Sequence, residues 1–76
     1  MKEIVEYIVK ALVENPDDAV ITSEEEDNNV KILVNVAPED MGRIIGKQGR
    51  IARAVRVIAQ TAAARRGKKC YIEIRE

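Results

Sequence analysis

Val30-Lys31-Ile32-Leu33-Val34-Asn35-Val36-Ala37-Pro38-Glu39-Asp40 runs directly into Met41-Gly42-Arg43-Ile44-Ile45-Gly46-Lys47-Gln48-Gly49-Arg50, and the hydrophobic period changes on the way. In the first half Val30, Ile32, Val34 and Val36 fall on one face and Lys31, Leu33 and Asn35 on the other, which predicts a strand buried on one side. Pro38 suits the first position of a helix, and Glu39 and Asp40 suit its positive end. That helix is brief, because Gly46 and Gly49 bracket a break after Met41 to Ile45, where backbone angles barred to other residues become available. A longer helix is expected from about Arg50 to Arg65. Its core stripe would be Ile51, Val55, Ile58 and Ala62, with Ala52, Ala54 and Ala59 allowing close approach of a sheet or another helix. Arg65 and Arg66 lie at its negative end before Gly67.

Outward from this stretch, Cys70-Tyr71-Ile72-Glu73-Ile74 alternates and predicts a strand with Cys70, Ile72 and Ile74 inward. Ala19 to Ser23 is a short β-prone run, joined to the strand at Val30 by the polar turn Glu24-Glu25-Glu26-Asp27-Asn28-Asn29, where Asn28 or Asn29 can take left-handed geometry. Lys2 to Glu14 reads as an amphipathic helix ended by Asn15-Pro16, with Ile4, Ile8, Ala11 and Leu12 at helical spacing and Val5, Val9 and Val13 beside them. So broad an apolar arc can pack on a sheet and still meet another element or another chain. The order is α-β-β-α-α-β. A hairpin followed by a helical crossover gives a three-stranded mixed sheet with the helices on one face, a two-layer α/β (α+β) sandwich. The other sheet face is left open, with Leu33 and Tyr71 on it.

Seventy-six residues, read as a single domain over residues 1–76, provide only a modest core. With one cysteine and no histidine, neither a disulfide web nor a histidine-based metal site is available to support it, and no cofactor is expected. A partner chain is the natural support. Cys70 cannot form an internal bridge, which indicates a reducing compartment. Glu3, Glu6, Lys10 and Glu14 interrupt the apolar N-terminal segment, so a soluble cytoplasmic protein without a membrane role is expected.

The formal net charge of zero conceals a sharp division. Residues 1–40 carry three basic and eleven acidic side chains, a net of −8, whereas residues 41–76 carry ten basic and two acidic, a net of +8. If folding preserves that separation, one face attracts a polyanion; if it mixes the signs, the charges make only a solubilising surface.

The chemistry concentrates in Arg43-Ile44-Ile45-Gly46-Lys47-Gln48-Gly49-Arg50. A side-chain-free rim lets a ligand backbone come close, and phosphate oxygens can then meet the unpaired N–H groups at the start of the second helix. Lys47 would supply a point charge and Gln48 a hydrogen bond. Alone, a GxxG is often just a joint between helices. Here Arg43 and Arg50 flank it, Arg53 lies one turn beyond Arg50, and Arg56 continues the edge. A row of arginines beside a bare loop fits a thin single strand better than a broad duplex.

Ile44-Ile45-Gly46-Lys47-Gln48-Gly49-Arg50 resembles the I-I-G-x-x-G signature of KH domains, and the element order resembles their type II arrangement. Val36-Ala37-Pro38-Glu39-Asp40-Met41-Gly42 is similar to the phrase that precedes it in the small single-KH proteins of bacteria, the KhpA-like group. The resemblance covers nearly the whole chain. It implies a cleft for about four nucleotides of single-stranded RNA or DNA. Gly46 and Gly49 would be the clamp glycines, Lys47 and Gln48 the tip, and Ile44 and Ile45 one core and one groove residue. It also implies a role in RNA metabolism or as an RNA chaperone, and pairing with a second copy or another KH protein.

Two other classes remain. An adaptor or dimerisation module with secondary RNA binding has support in Val5, Val9, Leu12, Val13 and the stretch Ala59 to Ala64. An enzyme is not expected: no histidine can act as a base near neutrality, Cys70 falls in a strand pattern, and Gly42 to Gln48 lacks both the spacing and the Ser or Thr of a nucleotide phosphate loop.

Overall fold

The computed structural model describes residues 2–76, the side chains of residues 47 and 48 excepted. Helix α1 (Lys2–Leu12) leads through a 3₁₀ turn (Pro16–Asp18) to strands β1 (Val20–Glu26) and β2 (Asn29–Asn35), then to helix α2 (Pro38–Ala64) and strand β3 (Lys69–Arg75). The sheet order is β1-β2-β3, with β1 antiparallel and β3 parallel to the central strand. The helices cover one face, so the α-β-β-α-α-β arrangement expected from the sequence is the arrangement found. No helix among the described residues is long and apolar enough to cross a membrane.

The two crossover helices are hydrogen-bonded as the single 27-residue span of α2, yet Gly49 within it has φ of 69°. A straight helix of that length would measure about 40 Å, longer than the 34 Å long axis of the molecule. Gly49 therefore divides α2 into arms 38–48 and 50–64, because a left-handed residue cannot carry the helix axis onward. Gly46 has no positive φ and belongs to the first arm, so of the two loop glycines only Gly49 uses its conformational freedom. At the far end Gly67, with φ of 71°, closes the second arm in a Schellman motif, the Lys68 N–H reaching the Ala63 carbonyl at 2.9 Å.

Val30, Ile32, Val34 and Val36 are all buried, as their alternation requires, against Val5, Val9 and Val13 of the α1 segment and Ile44, Val55, Ala59 and Ala63 of α2. Two expectations are corrected here. Ile58 is 40% exposed, and the inner stripe of the second arm is Val55, Ala59 and Ala63. The small residues Ala59 and Ala63 are fully buried with the core, and the larger Ile58 lies on the flank. On α1 the valines turn inward, while Ile4 and Leu12 remain 45% and 42% exposed.

The hairpin also differs from expectation. β1 extends through Glu24, Glu25 and Glu26, pairing Glu26 with Asn29, so the turn contracts to Asp27 and Asn28. The left-handed residue is Asp27, with φ of 54°, rather than either asparagine; the Asp side chain tolerates that region. Helix α1 ends at Leu12 rather than Glu14, before the backbone turns into Pro16.

Candidate nucleic-acid interface

The second arm of α2 has two unlike flanks. Arg53, Arg56 and Gln60 recur at i, i+3 and i+7 and so share one side. Gln60 meets Lys69, Cys70 and Tyr71 of β3 in a cleft of about 320 Å³, which identifies that side as the one beside the sheet edge. Among the described residues β3 pairs only with β2, so its other backbone edge is unpaired in the sheet. Ile51, Ile58 and Ala62 recur at i, i+7 and i+11 on the opposite side, where they meet α1.

The basic flank leads away from the loop. Arg50, Arg53 and Arg56 are exposed, and none forms an ion pair among the described residues. Their charges are therefore available to a ligand. The acidic hairpin is engaged at the other end of the sheet, where Glu25 accepts a 2.6 Å bond from Lys68; that contact holds the Glu25 carboxyl below its usual range. It does not fold over the loop.

Arg43 behaves differently from the rest of the row. Its guanidinium donates to the Glu14 carboxylate, which takes it to the α1 side of the loop. There it lines a cleft with Leu12, Gly42, Gly46 and Ile51. Ile44 is buried at 2% exposure and belongs to the core, whereas Ile45 is exposed beside the glycine. The side chains of Lys47 and Gln48 lie outside the described residues. A Cβ built at Gly46 or at Gly49 would have nothing within 4 Å. Gly46 thus sits in a helix, where glycine costs about 1 kcal/mol relative to alanine, without the positive φ or crowding that would demand it.

The entry of α2, upstream of the loop, is held by Asp40. This carboxylate is 1% exposed and accepts the Glu14 N–H at 2.9 Å, the Asn15 N–H at 3.1 Å and the Asn15 Nδ2 at 3.1 Å. The Glu14 bond holds the Asp40 carboxyl below its ordinary range against the opposing effect of burial, with Asn15 and the nearby Arg43 adding to the lowering. The exit of α1 is thereby tied to the entry of α2. Sequence reasoning assigned Asp40 only to the helix dipole.

Gln60, Lys69 and Tyr71 were also missed as members of this surface. The i, i+3, i+7 spacing from Arg53 could have suggested Gln60, but the placement of β3 alongside is tertiary. Burial pushes the Cys70 thiol up, which leaves it protonated and packed rather than reactive.

Comparison with known proteins agrees with this architecture. The family model for the KhpA/KhpB KH domain matches residues 2–74. The RNA-binding protein KhpA of Listeria monocytogenes (strain EGD-e) is 47% identical over 76 residues, covering all of both chains. The RNA-binding protein KhpA of Clostridium perfringens (strain 13) is 45% identical over 74 residues, covering 97% of this chain and 99% of that one. The protein of the same name from Caldanaerobacter subterraneus is 46% identical with the same coverage. No solved structure gives a significant match. With the glycine loop, the mixed sheet and the family match all in place, the chain belongs to the KhpA/KhpB KH-domain family.

Proposed function

We propose that this chain binds a short single-stranded RNA whose backbone passes the Gly46–Gly49 loop and follows the basic flank of α2, and that it serves in RNA metabolism or as an RNA chaperone. The observation that carries the reading is the set of exposed, unneutralised arginines, Arg50, Arg53 and Arg56, leading from a loop whose glycines open to free space. Arg53 and Arg56 supply charge to successive phosphates, Lys47 and Gln48 form the loop tip, and Ile45 offers an apolar surface beside it. Arg43 plays a lesser part, its charge being shared with Glu14. The relatives are RNA-binding proteins by name, which supports the same ligand class.

Binding should be strongly dependent on salt. Neutralisation of about three phosphates gives a slope that weakens affinity about twentyfold between 50 and 200 mM salt. Fluorescence anisotropy of a labelled oligoribonucleotide at those two concentrations measures it. An affinity that does not move removes the electrostatic basis of the reading.

The opposite flank favours a second copy of this chain. Ile4, Val57 and Ile58 are 45%, 53% and 40% exposed, and they line one groove with Thr61 and Ala62, with Arg65 and Arg66 also in its lining. A chain of this length has little core of its own, and pairing two such strips would enlarge it. Ile58 and Arg56 lie on different flanks of the arm, although Val57 stands one turn from Arg53, so pairing leaves open the part of the RNA path along Arg56 and Gln60. Ile58→Asp should preserve the folded monomer and weaken self-association at least tenfold. Sedimentation at graded concentrations reads both, and unchanged association would exclude this strip in favour of another surface or another KH protein.

A further inference from the structure

Beyond the loop, the basic flank runs into a feature that the proposed four-nucleotide site does not use. Gln60 lies about 15 Å along the helix axis from Arg50, and there the groove opens into the cleft shared with Lys69, Cys70 and Tyr71. Tyr71 is 59% exposed. It alternates with buried Cys70 and so stands on the open sheet face at the rim of the unpaired edge.

The surroundings of that ring favour an anion. Lys31 is its register partner on β2, and Lys69 precedes it by two residues on the same face. Neither lysine forms an ion pair among the described residues. The acid on the other side, Glu73, is engaged by Arg75 at 3.5 Å. The acids of β1 on this face, Glu24 opposite Lys31 and Glu26 in the row of Lys69, lie two strands away from the ring. An exposed aromatic plane with cations on two sides and an amide at its edge has the chemistry of a nucleobase platform: the ring stacks, the lysines meet phosphate, and Gln60 bonds to a base edge.

We propose that Gln60, Lys69 and Tyr71 form a separate nucleotide subsite at the far end of the groove, occupied only by RNA longer than the segment held by the glycine loop. This rests on the RNA-binding reading above and extends it. A strand leaving Arg56 passes Gln60 and turns over the edge of β3, so that one base lies on the Tyr71 ring and its phosphate lies near Lys69 or Lys31. RNA length, rather than the loop alone, then determines affinity.

Four- and eight-nucleotide oligoadenylates distinguish the two parts of the path, since adenine presents a large surface for stacking. Tyr71→Ala should weaken the eight-mer about tenfold and leave the four-mer unchanged, while Tyr71→Phe keeps the wild-type affinity for both. The chain has two tyrosines and no tryptophan, so Tyr7→Phe makes Tyr71 the sole tyrosine emitter. Its fluorescence should be quenched by the eight-mer and not by the four-mer. Equal weakening of both oligomers by Tyr71→Ala, no weakening of either, or unquenched emission with bound eight-mer would overturn the subsite. Failure of the loop reading has a different signature: the four-mer then binds a loop-tip variant as tightly as the unmodified chain, or binds neither, and the extension falls with it.

Discussion

Lys47→Asp combined with Gln48→Asp is expected to lower affinity for a short single-stranded RNA by about a hundredfold or more, with no change in the folded structure. One charge-assisted bond to phosphate is worth about 1.5–3 kcal/mol, and two carboxylates at the loop tip would add repulsion to its loss. The fold should not respond, because among the described residues the α2 part of the core is built from Ile44 and from the Val55, Ala59 and Ala63 stripe. Circular dichroism and thermal unfolding check the fold, and anisotropy titration checks the affinity. Normal binding by a folded double variant would remove the loop from the interface. The adjoining Arg53 and Arg56 would then have to account for binding on another path.

Asp40→Ala should produce the largest loss of stability among exchanges outside the apolar core, a fall in melting temperature on the order of 10 °C. The substitution removes the acceptor for two backbone N–H groups and the Asn15 amide. Asp40 itself is buried, and the three bonds it accepts are partly shielded from water, so their loss is only partly compensated by solvent. The effect also has a definite pH dependence. Because the folded carboxyl titrates below its ordinary value, its contribution is present above the unfolded pKa of about 3.9. It is lost as pH falls through the lower folded value. Melting curves of the wild type and Asp40→Ala should therefore be well separated at neutrality and converge in acid below about pH 4. A gap that stays constant down to pH 2 would show that the ionised carboxylate is not what holds the α1 exit to α2.

These two positions differ in how far a sequence alone can expose them. The loop is legible because its requirements are local. Two closely spaced glycines flanked by arginines can be read within a few residues, and the positive φ at Gly49 is the one backbone break that they supply. The role of Asp40 is not local. Its partners lie 25 and 26 residues earlier, and nothing in Pro38-Glu39-Asp40 distinguishes a carboxylate that complements a helix dipole from one that binds another helix's exit.

The second arm of α2 shows the same boundary more finely. Its existence and extent follow from periodicity, but the inward face is turned about 70° from the stripe of largest hydrophobes. Hydrophobicity alone ranks Ile51 and Ile58 above Ala59 and Ala63. Tertiary packing reverses that order, with Ala59 and Ala63 fully buried and Ile58 40% exposed. The same rotation brings Arg53, Arg56 and Gln60 together beside the edge of β3 and leaves Ile58 on the flank shared with Ile4.

By itself the amino-acid order determined the number and order of the strands, the crossover and the broken helix with its hinge at Gly49, though not the length of β1, because alternation, helical period and glycine geometry act between near neighbours. Only the tertiary structure decided which flank of the second arm is basic and open, which is apolar, and that Tyr71 stands where the basic flank ends. Those facts depend on how far apart the layers settle and how each helix rotates to fill the gap, and both are set by side chains distant in the chain.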